Sequence, residues 1–200
     1  MIVAVDGPVA AGKGTLARRL AQHFGFHYLD TGALYRAVAS KSIRENRPPE
    51  DCARQLAAAD LAAGDLRTER VGQMASMVAA MPPVRAALLD YQRGFALRPP
   101  GAVLDGRDIG TVVCPDAGLK LFVTAAVEAR AHRRFLELQA VDPAVSEAAV
   151  LADLRERDQR DSGRALAPLR PAADAHLLDT TDLDIEAAFE AARDLVSARL

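Results

Sequence analysis

The first twenty residues constrain the fold most. Ile2-Val3-Ala4-Val5 is a short apolar run, followed at once by Asp6-Gly7-Pro8-Val9-Ala10-Ala11-Gly12-Lys13-Gly14-Thr15 and then by Leu16-Ala17-Arg18-Arg19-Leu20. A buried strand, a glycine-punctuated turn and a helix start, in that order, are the setting a phosphate-binding loop requires. Gly7 and Gly12 open backbone conformations closed to other residues and leave no Cβ between chain and ligand. Successive N–H groups at the helix start converge on anionic oxygens, and Lys13 adds a mobile positive charge for the outer phosphates. The loop Gly7, Pro8, Val9, Ala10, Ala11, Gly12, Lys13, Gly14 and Thr15 is therefore expected to bind a nucleoside triphosphate. It departs from the common pattern at one place. Gly14 stands where a metal-touching hydroxyl usually lies, and Thr15 follows it.

Further strand-like runs fall at Phe26–Leu29, Ala102–Leu104, Leu119–Val123 and, more weakly, Ala175–Leu178. Each is short, lacks clean alternation and is separated from the next by helical patterning. Strands buried on both faces read this way, which predicts an α/β protein with a mostly parallel sheet. Helical stretches are expected at Lys13–His23, Gly32–Arg44, Pro49–Ala59, Glu69–Ala80, Val84–Ala96, Ala125–Leu138, Glu147–Arg160 and Asp184–Leu200. No strand pattern appears between Ser40 and Pro100, so this interval reads as an inserted, mainly helical lobe. Three strand-like runs end on Asp6, Asp30 and Asp105, at the carboxyl edge where open α/β sheets hold their ligands.

With 200 residues, half of them hydrophobic, the chain suits one principal core. The formal net charge of −2 offers no general attraction to nucleic acid or to anionic membranes. Cys52 and Cys114 have neither metal-ligand spacing nor disulfide density and are expected as reduced thiols. The chain opens on a core strand and holds no membrane-length apolar run, so a cytoplasmic protein without a leader is expected. His23, His27, His132 and His176 form no relay pattern, and none is assigned a catalytic role.

Three clusters carry chemistry. Asp30-Thr31-Gly32 opens a helix with Thr31 as a natural N-cap, and Arg36 one turn along is within reach of an anion held at that helix start. Asp105-Gly106-Arg107-Asp108 ends the third strand-like run. There Arg107 suits a phosphate, Asp108 suits a base amino group, and Asp105 suits water around Mg²⁺ or a neighbouring arginine. Arg157, Arg160 and Arg164 lie three and four residues apart beside Asp161, with Ser162-Gly163 breaking the helix inside the cluster. That pattern fits a hinged flap whose arginines reach phosphates on closing. Of Arg130, Arg133 and Arg134, at least one is expected to face the same crevice or else the solvent. Phosphate loop, second anion site and mobile arginines suit transfer between two bound phosphates, a reaction that needs placement and charge neutralisation more than covalent help. Lys13 would hold the donor phosphates, and Arg157 and Arg160 would stabilise the transferring group.

These residues resemble the bacterial cytidylate kinases, within the nucleoside monophosphate kinases. The resemblance covers nearly the whole chain. It rests on the first loop, Leu29–Arg36, Val84–Leu89, Asp105–Val113, Arg130–Arg134, and Arg157–Asp161 leading to Arg164–Leu169. It implies a P-loop three-layer fold with a central parallel sheet, a shortened helical acceptor-binding lobe and a small arginine-rich lid. The approximate parts are a core of residues 1–39 and 99–200, a lobe of 40–98 and a lid of 153–167 within a single domain. It implies transfer of the ATP γ-phosphate to CMP or dCMP, with Mg²⁺, in pyrimidine nucleotide metabolism. By matching position, Thr31, Arg36, Ser76, Arg85, Arg107, Asp108, Asp161 and Arg164 would hold the acceptor. Ser76, Arg85 and Asp108 would lie around the cytosine. The metal would meet Thr15 or Asp105 through water. Family members usually carry a small antiparallel sheet in the lobe, between stretches like Ala57–Leu61 and Thr68–Gln73; here only Ala62–Arg67 joins them. The rival readings are a kinase for UMP or another small acceptor such as shikimate, and a nucleotide-dependent switch. A nucleic-acid polymer and a membrane are not expected as partners, and a monomer fits the lobe movements of such a lid.

Overall fold

The computed structural model describes residues 1–66 and 68–200; Arg67, the last residue of the short segment joining the two lobe stretches, lies outside them. Five strands form one parallel sheet: β1 (Ile2–Asp6), β2 (His27–Asp30), β3 (Ala102–Gly106), β4 (Leu119–Thr124) and β5 (His176–Asp179), in the order β2-β3-β1-β4-β5. Each apolar run of the sequence supplies one strand. The register sets Asp6 opposite Gly106, and Asp30 opposite Asp105. Three strand ends thus meet at one edge of the sheet.

Helices cover both faces, giving the expected three layers. On one face Val3, Val5, Val103, Leu121 and Val123 pack against α1 (Lys13–Phe24) and α9 (Ile185–Ser197), through Leu16, Leu20, Phe189 and Val196. On the other, Ala4, Ala102 and Leu104 meet the insertion between β2 and β3. The regular elements of that insertion, among its described residues, are all helices: α2 (Thr31–Glu45), α3 (Pro49–Arg54), α4 (Ala58–Leu61), α5 (Glu69–Val78) and α6 (Pro82–Ala96). Where one helix was expected over Pro49–Ala59, two short ones form. Gln55, Leu56 and Ala57 leave the helical path, and the Asp60 carboxylate caps the new start by accepting from the Ala57 N–H at 3.0 Å. Polar links then hold the lobe. Lys41 and Arg44 donate to Asp60 at 2.8 and 3.0 Å, and Ser40 donates to Asp65 at 2.8 Å.

Two helices finish the layer beside the first loop, α7 (Val127–Gln139) and α8 (Glu147–Ser162). Ala131, Val150 and Leu154 form their seam, with Val9 and Ala10 of the loop packed on it. The cap of α2 differs from expectation. Asp30, not Thr31, is the N-cap, accepting from the Ala33 N–H at 3.0 Å, and Thr31 is already helical. Among the described residues no helix is long and apolar enough to cross a membrane. Cys52 and Cys114 are both buried and unbridged.

Gly7 shows how closely the loop is set into the sheet. A Cβ there would lie 1.9 Å from the Val123 carbonyl oxygen. Gly7→Ala is expected to destabilise the fold by about 3 kcal/mol through forced backbone displacement, checked by urea unfolding; an unchanged midpoint would refute this account of the position.

Candidate active site

The strand ends build the site. Beyond β1 the loop turns through Gly12 in a left-handed conformation (φ 81°), and the α1 N-terminus points its N–H groups outward. Lys13 is buried, with Nζ 3.4 Å from Asp105 Oδ1 at the end of β3. Burial and the neighbouring Arg107 push its amine down, while Asp105 and Asp30 oppose the shift. Tyr28 donates to Asp105 Oδ2 at 3.4 Å, and its hydroxyl is pushed well above the usual phenol range by burial and by Asp105. Gly14 has a steric reason to lack a side chain. Its Cβ would come 3.0 Å from Asp105 Oδ2, so the missing hydroxyl makes room for this carboxylate.

A cleft opens beside this pair, between the strand ends, α2, α5 and the end of α8. It is lined by Lys13 and Gly14, by Thr31 and Arg36 from α2, by Ser76 from α5 and Arg85 from α6, by Arg107 and Asp108 after β3, and by Arg157, Asp161 and Arg164 from the α8 end. Every expected acceptor residue is therefore in one place. The cations are held by acids. Arg36 donates to Asp30 at 2.7 Å, Arg107 donates to Asp161 at 3.0 Å, Arg164 pairs with the same Asp161, and Arg157 lies 3.6 Å from Asp153. Arg85 pairs with Asp108 and donates to the Ala79 carbonyl at 3.2 Å. Burial pushes the Asp108 carboxyl up, against the pull of Arg85. Thr31 does not cap its helix but donates to the Asp105 carbonyl at 2.7 Å, tying α2 to β3. Among the described residues, three buried polar atoms of this cleft accept or donate no hydrogen bond: Ser76 Oγ, Arg164 Nε and Asp105 Oδ1, the last facing only the Lys13 ammonium. Buried polar groups are ordinarily paired, so a cluster of unpaired ones marks a ligand cavity.

One expected residue stands apart. Arg160 of α8 is bonded to Glu156 and does not line the cleft. The trio Arg130, Arg133 and Arg134 divides three ways. Arg130 is buried, donating to the Val9 carbonyl at 3.2 Å and gripping Asp158 of α8 at 2.6 Å. Arg133 donates to the carbonyls of Thr180 and Thr181, and Arg134 pairs with Glu137 at the surface.

A second cavity, about 840 Å³, lies on the other side of the loop. Ala10 to Thr15 form its floor, and Arg133, Thr180 and Leu183 to Ile185 form its wall. The sequence pointed to the floor and, within the arginine trio, to Arg133, but not to the rest of the wall. The signal for the wall was present in Asp179-Thr180-Thr181, a polar end to β5 like those of the other strands. Lys13 and Gly14 line both cavities, so two ligands would meet at the lysine.

A parallel sheet ending in a phosphate loop, with an arginine-lined cleft and a second cavity meeting at its lysine, defines a P-loop phosphotransferase. Comparison with known proteins narrows the class. The sequence profile of the family described as Cytidylate kinase matches residues 3–61 and 53–198. A cytidylate kinase of Paramagnetospirillum magneticum is 59% identical over 207 residues, spanning 99% of this chain and 98% of its own. One from Cereibacter sphaeroides is 61% identical over 98% of this chain and 95% of its own. A gluconokinase structure from Sinorhizobium meliloti, 14% identical with TM-score 0.51 over 98% of this chain and 92% of its own, shares the fold. The chain belongs to the cytidylate kinase family, a family of kinases with ATP as phosphoryl donor.

Gly106 tests the packing of the cleft. A Cβ there would sit 2.7 Å from Thr31 Oγ1 and 2.6 Å from Ile109 Cδ1. Gly106→Ala is expected to raise KM for the phosphate acceptor about tenfold while changing KM for ATP little, because displacement near one ångström misaligns the reactants. Steady-state kinetics with each substrate varied in turn would check the split.

Proposed function

We propose that this kinase moves the γ-phosphoryl group of ATP onto the phosphate of CMP or dCMP, giving CDP or dCDP and ADP. Membership of the family supports the reaction. The observation that carries its placement is that Lys13 and Gly14 border both cavities. Loop N–H groups and Lys13 hold the donor phosphates, and the wall by Arg133 and Thr180 receives the rest of the donor. Arg36, Arg107 and Arg164 hold the acceptor phosphate, exchanging their acid partners for it. Asp108 accepts from the cytosine amino group, and Arg85 and Ser76 serve its other polar atoms. Arg157 lies at the cleft and meets the transferring group, and Arg160 joins it when the lid, residues 153–167, closes with the lobe of 40–98.

The nucleophile is an acceptor phosphate oxygen, anionic near neutral pH, so the reaction needs no general base. It needs an in-line approach, neutralised charge and excluded water. A charge-assisted bond present only in the transition state is worth roughly 1.5–3 kcal/mol, about tenfold to a hundredfold in rate. Mg²⁺ fits beside the donor phosphates, since Asp105 Oδ1 is buried with no hydrogen bond, facing only Lys13, and Thr15 lies in the first turn of α1. Asp105 and Thr15 would hold it through water, and when bound it neutralises phosphate charge. We place the enzyme in pyrimidine nucleotide metabolism, acting as a cytoplasmic monomer.

With Mg-ATP, the chain is expected to phosphorylate CMP or dCMP far faster than UMP, AMP or shikimate; turnover of one of these others alone would reject the assignment. Asp108→Ala should mainly erase the preference for CMP over UMP, a difference of a few kcal/mol when a buried polar partner is mismatched. Lys13→Ala should suppress transfer to every acceptor. Chelation of divalent cations should abolish turnover, restored by adding Mg²⁺; turnover that survives chelation would remove the metal from the reading.

A further inference from the structure

Asp6 is the last residue of the central strand β1 and directly precedes the phosphate loop, yet its side chain turns to the backbone that follows β3. It is 5% exposed. Its two oxygens accept one N–H each, from Ile109 at 2.8 Å and from Gly110 at 2.7 Å. Those N–H groups open a five-residue π-helical turn, Ile109–Val113, that begins immediately after Asp108. The first N–H groups of any helical turn have no partner within it, so this carboxylate supplies two. The far end of the turn is held as well. Arg93 of α6 donates to the carbonyls of Val113 and Val112, at 3.0 and 3.2 Å. Asp108 is therefore fixed on both sides, by the β3 ladder before it and by a turn clamped from core and lobe after it.

A buried carboxylate at this position comes at a cost. Burial, with Asp108 and Asp105 nearby, pushes the Asp6 carboxyl up to about 7, against the two backbone N–H groups that favour its charged form. Strand pairing alone calls for no acid there, and strongly perturbed groups of this kind concentrate at functional sites.

We infer that Asp6 and Arg93 are positioning residues for substrate choice: by clamping the turn after Asp108 at its two ends, they set the carboxylate that reads the acceptor base. They touch no substrate and act through Asp108, so the inference rests on the reading of Asp108 given above. Because Asp6 is continuous with Gly7, the same residue also ties the base reader to the donor loop.

The test measures kcat/KM for CMP and for UMP in the full chain. In Asp6→Asn one side-chain oxygen still accepts an N–H, while the new amide group faces the other N–H and cannot accept it. The variant is expected to lose about tenfold of the CMP-over-UMP ratio, as displacement near one ångström does at reacting centres, with KM for ATP within about twofold. Placed in an Asp108→Ala background, Asp6→Asn should lower the ratio no further, since a residue acting through another is non-additive with it. A purely structural role would instead lower thermal stability and leave the ratio intact. An unchanged ratio in Asp6→Asn, or a full further loss in the double variant, would overturn the inference. If Asp6→Asn does not fold, Arg93→Gln decides: a ratio reduced about threefold supports the clamp, and an unchanged ratio refutes it. Wild-type enzyme without a CMP preference would instead sink the reading of Asp108 itself.

Discussion

The parallel pairing of β1 with β3 is the constraint on which the site depends. It sets Asp6 opposite Gly106, so the chain leaves the sheet at the phosphate loop and at Asp105–Asp108 side by side. The phosphate loop and the Asp105–Asp108 segment are continuations of two adjacent central strands, and neither can move without breaking the ladder between them. A transfer reaction gains most from fixed placement of its reactants, and here the sheet supplies it. Gly7 and Gly106 sit where the two chains leave the sheet, and in each case a Cβ would meet atoms closer than contact allows.

Charge is arranged on this frame as paired opposites. Lys13 faces Asp105, Arg36 faces Asp30, Arg85 faces Asp108, and Asp161 serves both Arg107 and Arg164. Cations buried in this way without partners would be costly. With them, the cleft cations are held in place by partners already formed rather than left as solvated side chains. The partnerless Ser76 Oγ and Arg164 Nε are the atoms whose cost a ligand removes outright.

The sheet was legible because strands buried on both faces are continuous apolar runs, and all five coincide with such runs to within about two residues, the usual uncertainty of element ends. The cleft was legible because its arginines and acids stand at strand ends and helix starts. Other features had no local signal. A π turn of five residues has no periodicity to detect. The partners of Asp6 lie 103 and 104 residues away, and Arg130 meets Asp158 across 28. Thr31 reads as a cap, yet Asp30 precedes it with an equally good acceptor and takes the position, freeing Thr31 for β3. The break expected at Ser162-Gly163 is where α8 ends, and Arg164 beyond it lines the cleft; that Arg160 is taken up by Glu156 had no signal in the spacing.

The insertion between β2 and β3 raises the question of how a lobe whose described elements are all helices is tied to the cleft. Helix α2 offers a physical answer. Its first turns carry Thr31 and Arg36 at the cleft, and its last turns carry Lys41 and Arg44 on Asp60, with Ser40 on Asp65. Fifteen helical residues make a rod of about 22 Å, stiff on this scale. Ion pairs fasten the lobe to one end of that rod, and the cleft cation Arg36 rides on the other. The relatives from Paramagnetospirillum and Cereibacter align over 98% and 95% of their own lengths, so the compact lobe goes with extensive shared sequence. A sheet would stiffen the lobe internally; a rod anchored by Asp60 ties it to the cleft instead.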